Sequence, residues 1–186
     1  MKRKDVISIT GDLASGKGTV SSLLISRLNY TVYRNGEAFR NMAKEHGMDV
    51  IEFNEYVDQH PEIDKQIEAK ATEFAETHDN FVIDARLGWY AIPNSFKVYL
   101  KVDPDVAAER AYWDERRKST ENYKTIQEQK ESLHKRSKLE RERYKRNYGV
   151  ELTDMNNYDC VIDTTEYTPQ VICERIIEKY NLWLED

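Results

Sequence analysis

The sequence predicts an α/β fold with a five-stranded parallel sheet and helices on both faces. Three observations carry this. Apolar, β-branched runs alternate with stretches of helical periodicity along the chain. The first such run feeds a glycine-bounded loop and then a helix, the context a phosphate-binding loop requires. The 186 residues suit one domain, and no repeat or low-complexity linker divides them.

Val6-Ile7-Ser8-Ile9-Thr10 reads as a buried strand that stops at Gly11. Asp12, Leu13, Ala14 and Ser15 form the loop, and Gly16-Lys17-Gly18-Thr19 opens a helix carrying Val20, Leu23, Leu24 and Leu28. Glycines let successive backbone N–H groups curl around phosphate oxygens, and the helix N-terminus adds partial positive charge. Lys17 is the cation for the β- and γ-phosphates of a nucleotide. Gly11, Asp12, Ala14, Ser15, Gly16, Lys17, Gly18 and Thr19 are therefore the candidate nucleotide cradle. Because Gly18 follows the lysine, no hydroxyl is placed for direct Mg²⁺ ligation, and the metal is expected to be held through nucleotide and water.

Tyr30–Tyr33 predicts a second strand, broken at Arg34-Asn35-Gly36. Helices are predicted over Glu37–His46, over Val50–Gln59, and from Pro61 along Ile63, Ile67, Ala71, Phe74 and Ala75. Asn80–Asp84 and Phe96–Val102 are the next strands, and Asp103-Pro104 starts a helix running through Arg110 toward Arg117. Tyr158–Asp163 is the last strand, and Thr168-Pro169 opens the terminal helix.

The segment from Asp114 to Arg146 is mostly polar, with Ile126, Leu133 and Leu139 as sparse apolar positions. It predicts a helix pair with too narrow a stripe for deep burial. Such a pair is either a solvated surface feature or a mobile lid that brings arginines over phosphates. Asp84 is either a solvated strand-end acid or the group that orients waters around Mg²⁺. Trp89 either lines a pocket or fills the core.

A net charge of −6 gives no general basis for nucleic-acid binding. No apolar run is long enough to span a bilayer, and the first strand follows Met1 too closely for a signal-peptide core. Cys160 and Cys173 lack metal or redox spacing and read as buried thiols. A cytoplasmic monomer acting on small molecules is the expectation.

Gly16-Lys17-Gly18-Thr19 resembles the loop of the nucleoside monophosphate kinases, and Gly36-Glu37-Ala38-Phe39-Arg40 resembles their acceptor-site helix. Asp84-Ala85-Arg86-Leu87-Gly88-Trp89, Arg143-Tyr144-Lys145-Arg146-Asn147-Tyr148-Gly149-Val150 and Tyr158–Thr164 resemble stretches of the archaeal-type cytidylate kinases. The likeness covers nearly the whole chain. It implies a P-loop kinase fold with a core of about 1–33, 80–113 and 150–186, acceptor-binding helices over about 34–79 and a lid over about 114–146. It implies transfer of the ATP γ-phosphoryl group, with Mg²⁺, to a pyrimidine nucleoside monophosphate, CMP or dCMP. By resemblance, Lys17, Asp84, Arg116, Arg136 and Arg143 are catalytic, and Arg110 attends the donor. Gly36, Phe39, Arg40, Arg86 and Trp89 attend the acceptor. Ala85 replaces a family glycine, and the lid reads Arg136-Ser137-Lys138-Leu139-Glu140 where the family has Arg-Glu-x-Ser-Glu. A kinase for another small metabolite and a nucleotide-binding protein without catalysis are the competing expectations.

Overall fold

The computed structural model describes residues 5–115, 117 and 123–185. Among them five strands, β1 (Val6–Gly11), β2 (Thr31–Arg34), β3 (Phe81–Asp84), β4 (Phe96–Lys101) and β5 (Cys160–Asp163), form one sheet in the order β2-β3-β1-β4-β5. Every pairing is parallel. The helices in chain order are α1 (Lys17–Leu28), α2 (Asn35–Glu45), α3 (Val50–Gln59), α4 (Pro61–Thr77), α5 (Gly88–Ala91), α6 (Pro104–Trp113), α7 (Ile126–Tyr148) and α8 (Pro169–Glu185).

Strand alternation divides the core between two faces. Ile7, Ile9, Val82, Val98, Leu100 and Ile162 face α1 and α8, where Val20, Leu24, Ile172, Ile176 and Tyr180 cover them. Val6, Phe81 and Ile83 face the other way, onto Ala71 and Phe74 of α4. Each fully buried Ile, Leu or Val contributes about 1.5–3 kcal/mol, so the strands read from sequence are the stable scaffold. Cys160 and Cys173 are free and buried on the α8 side. No helix among the described residues is long and apolar enough to cross a membrane.

The predicted elements are present, with ends shifted by a few residues. The exception is the polar segment. Its described part holds one 23-residue helix, α7, which packs on α6 and α3. Gln129, Leu133, Glu140, Arg143 and Tyr144 are buried along it. Four of these five are polar or phenolic, so a narrow apolar stripe coexists with deep burial here. The charges are accommodated by ion pairs inside the fold.

Parallel strands bring their C-terminal ends to one edge of the sheet. Arg34 pairs in register with Asp84, and Asp84 with Ile9, while Gly11 pairs with Leu100. Gly11 has φ +148°, and a Cβ there would run into the backbone of Leu100. Asp12 N then donates to Leu100 O at 2.9 Å, which turns the chain into the loop before α1. Gly11→Ala is therefore expected to destabilise the protein by about 1–3 kcal/mol through forced separation of β1 and β4. Urea denaturation checks this, and an unchanged midpoint would show that the two strands are not held this closely.

Candidate active site

Beyond the C-terminal edge of the sheet lies a cleft of about 910 Å³. The loop from Leu13 to Thr19 forms its floor. Gly16, at φ +88°, turns the chain into α1, and no side chain caps that helix. Ser15 Oγ is buried without a partner among the described residues. A phosphate oxygen would satisfy these groups. Lys17 Nζ meanwhile donates to the carbonyls of Gly11 at 3.3 Å and Asp12 at 3.2 Å. Burial, then the Arg86 charge, lowers its ammonium to about 7, against the opposing pull of Asp84 and Glu140.

The wall above the loop is built on charge. Arg86 follows β3, donates to the Gly11 carbonyl, and places its Nε 2.8 Å from Glu140 Oε2. Arg136, one turn before Glu140 on α7, donates from Nε to Glu140 Oε1 at 2.9 Å. Both oxygens of one buried carboxylate are thus shared between two arginines that line the cleft. Burial alone would raise Glu140, but Arg86, Arg136 and Arg143 outweigh it and hold the carboxyl at about 2. Asp84 Oδ2 accepts from Ser21 Oγ at 3.3 Å, beside Gly18. No cluster of three metal-ligating side chains occurs among the described residues.

The two ends of the cleft differ because β2 and β5 stand at opposite sheet edges. On the β5 side are Arg110, Trp113, Tyr167, Pro169 and Ile172. Arg110 donates to the carbonyls of Thr164 at 2.7 Å and Thr165 at 3.1 Å, which fixes it beside the β5–α8 loop. On the β2 side are Arg34, Gly36, Phe39, Arg40, Asp64 and Glu68. Phe39 packs edge-on to Phe53 at 4.8 Å between ring centres.

Lys17, Asp84, Arg110, Arg136, Arg143, Gly36, Phe39, Arg40 and Arg86 thus share one cleft with Ala14, Ser15, Gly16, Gly18 and Thr19. The other expected residues lie as follows. Gly11 and Asp12 support the loop from behind, and the Asp12 carboxylate accepts from Tyr99 OH at 2.7 Å and Val102 N at 3.0 Å. Trp89 is core, packed on Tyr158 at 5.5 Å between ring centres and grouped with Tyr99. Arg143 is 1% exposed, with its Nε 3.0 Å from Asp64 and Nη1 bonded to Asn54 Oδ1 at 3.2 Å, so it is a fixed wall rather than a lid arginine. Arg116 lies outside the described residues; Arg117 lines the cleft.

Sequence reading passed over Glu140, Glu68 and Asp64. The last two sit with Ile67 and Ala71 at i, i+3, i+4 and i+7 on the buried face of α4. Acids at core-facing helical positions were the signal available.

A model described as the cytidylate kinase-like family matches residues 6–166. A cytidylate kinase of Thermoplasma volcanium is 34% identical over 178 residues, covering 93% of this chain and 90% of that protein. An S-adenosylmethionine-dependent nucleotide dehydratase of Lacinutrix mariniflava is 34% identical over 95% of this chain, which spans only 36% of that relative's length. Among solved structures, the shikimate kinase of Bacteroides thetaiotaomicron superposes with a TM-score of 0.64 at 15% identity, covering 98% of this chain and 99% of that one. That likeness concerns the fold.

Glu140 links this geometry to acid stability. Its folded value of about 2 lies below the ordinary 4.5. Its contribution is therefore complete above the ordinary value and disappears as pH falls through the folded one, and amounts to an order of 3 kcal/mol. The stability gap between wild type and Glu140→Gln is expected to narrow from about pH 5 to about pH 3. Urea midpoints across that range check it, and a constant gap would contradict the shared-carboxylate arrangement.

Proposed function

The chain belongs to the cytidylate kinase-like family, and from that premise we propose that it transfers the γ-phosphoryl group of ATP to the 5′-phosphate of CMP or dCMP. One observation supports this above the rest. A phosphate loop with its lysine shares a cleft with two arginines, Arg86 and Arg136, held by one carboxylate. Phosphoryl transfer asks for in-line placement and charge neutralisation rather than covalent chemistry from the protein.

In this reading the amides of residues 14–19 and Lys17 cradle the donor phosphates. Arg110, Trp113 and Tyr167 flank the donor's base on the β5 side. Arg40 and Arg86 hold the acceptor phosphate, since guanidinium forks bind phosphate oxygens bidentately. Arg136 reaches the transferring group. The acceptor phosphate is already ionised, so no general base is required. Mg²⁺ bound through the nucleotide and water supplies further charge neutralisation, and Asp84 is the carboxylate available to orient such waters. The lid, about 114–146 by the resemblance, carries Arg136 on α7. A monomer suits this reading, the described lining of the cleft coming from one chain.

Lys17 also changes state with ligand in this reading. An ammonium lowered to about 7 by burial regains its charge beside phosphates, where negative charge favours the protonated form.

A coupled assay with ATP and CMP, dCMP, UMP, AMP or GMP tests the assignment. Highest kcat/KM is expected for CMP or dCMP, and Lys17→Met is expected to lower turnover by about 10²-fold or more while leaving thermal unfolding unchanged. Near-normal turnover in a folded Lys17→Met variant, or ATP consumption indifferent to every monophosphate, would contradict it.

A further inference from the structure

Asp64 and Glu68 stand one turn apart on α4, 2% and 8% exposed, and both line the cleft near Gly36 and Phe39. Asp64 is fully engaged. It faces Arg143 Nε at 3.0 Å and accepts from Asn147 Nδ2 at 3.3 Å. Glu68 is half engaged. Its Oε1 accepts from Asn35 Nδ2 at 3.1 Å, while its Oε2 is buried with no partner among the described residues. The nearby guanidinium of Arg143 is occupied by Asp64 and Asn54. The orientation of Asn35 is fixed from its other side, because its Oδ1 accepts from Tyr33 OH at 3.4 Å. A buried carboxyl oxygen left unpaired is costly. Glu68 also lines the cleft that an acceptor on Arg40 and Arg86 would enter.

We propose that Glu68 Oε2 reads the acceptor base, accepting an N–H from the 4-amino group of a cytosine-type base and so disfavouring the 4-oxo base of UMP. This rests on the nucleoside monophosphate kinase reading above. An ionised carboxylate oxygen only accepts, so the amino group satisfies it. A 4-oxo group would set two acceptors face to face, and mismatched polar groups in a desolvated site discriminate strongly.

The surroundings of Glu68 add a pH signature. Asp64 shares its helix, Asn35 approaches from α2, Tyr33 from β2, and Arg143, Tyr144 and Glu140 from α7. Burial, then the Asp64 charge, pushes the Glu68 carboxyl up to about 8, against Arg143 and the Asn35 hydrogen bond. Below that value the free oxygen carries a proton and donates; above it the oxygen accepts. Discrimination for CMP over UMP therefore rises with pH through this range.

The test is the ratio of kcat/KM for CMP to that for UMP, in which groups common to both acceptors cancel. In Glu68→Gln, Asn35 retains the carbonyl at the Oε1 position, so the amide NH₂ stands where Oε2 was and donates. At about pH 8.5 the ratio is expected to fall about tenfold or more relative to wild type. The wild-type ratio is expected to rise between about pH 6.5 and about pH 8.5, and the variant's to stay flat. The monophosphate of the pyrimidin-2-one riboside lacks only the 4-amino group. With wild-type enzyme it is expected to lose about tenfold or more in kcat/KM against CMP, a readout independent of the variant's folding. An unchanged ratio in Glu68→Gln, or equal use of CMP and the amino-less analogue by wild type, overturns the role of Glu68 alone. Failure of the wild type to phosphorylate either CMP or UMP overturns the kinase reading and this inference with it.

Discussion

Two guanidinium groups share the carboxylate of Glu140, and the architecture of the cleft depends on that sharing. Arg86 comes from the end of β3, Arg136 and Glu140 from α7, and Arg86 also reaches the last carbonyl of β1. One buried anion thereby joins α7, the end of β3 and the loop after β1. Bringing three charges out of water is expensive, and apolar residues of similar volume would often serve stability as well or better. The arrangement makes sense as preorganisation. Under the proposed function, the carboxylate holds two guanidinium forks near the loop before any phosphate arrives, so less ordering is required on binding.

The same economy of position governs the loop. β1 and β4 approach so closely at Gly11 that only glycine fits, and the Asp12 carboxylate then pins the turn to β4 through Tyr99 and Val102. Lys17 meanwhile rests on loop carbonyls with its charge weakened by burial. Its positive charge is most stable with anions beside it, which suits the phosphate-binding role proposed for the loop.

Elements whose burial is apolar were legible in the sequence. The Val6–Thr10 run, the glycine spacing of the loop and the helix over Val50–Gln59 appear where periodicity put them. In the last case Asp49 and Glu52 fix the start by a reciprocal capping box. The candidate phosphate-binding residues were legible because a loop constrains its residue types tightly. Burial by charge was not legible. Glu140, Arg143, Asp64 and Glu68 look like ordinary surface residues until three-dimensional pairing accounts for them. A helix that buries ion pairs carries no apolar stripe, so α7 read as shallow. For Trp89 the sequence left pocket and core both open, and its neighbours Tyr99 and Tyr158 make it core.

Under the proposed function, one cleft holds donor and acceptor at once, on opposite sides of the Glu140 carboxylate. Calorimetric titration of ADP and CMP into the enzyme, separately and then one in the presence of the other, tests it most directly because the pair does not react onward. Each is expected to bind with the other present, and an analogue linking adenosine to cytidine through a polyphosphate chain is expected to bind one per chain and displace both. Mutually exclusive binding of ADP and CMP would contradict it.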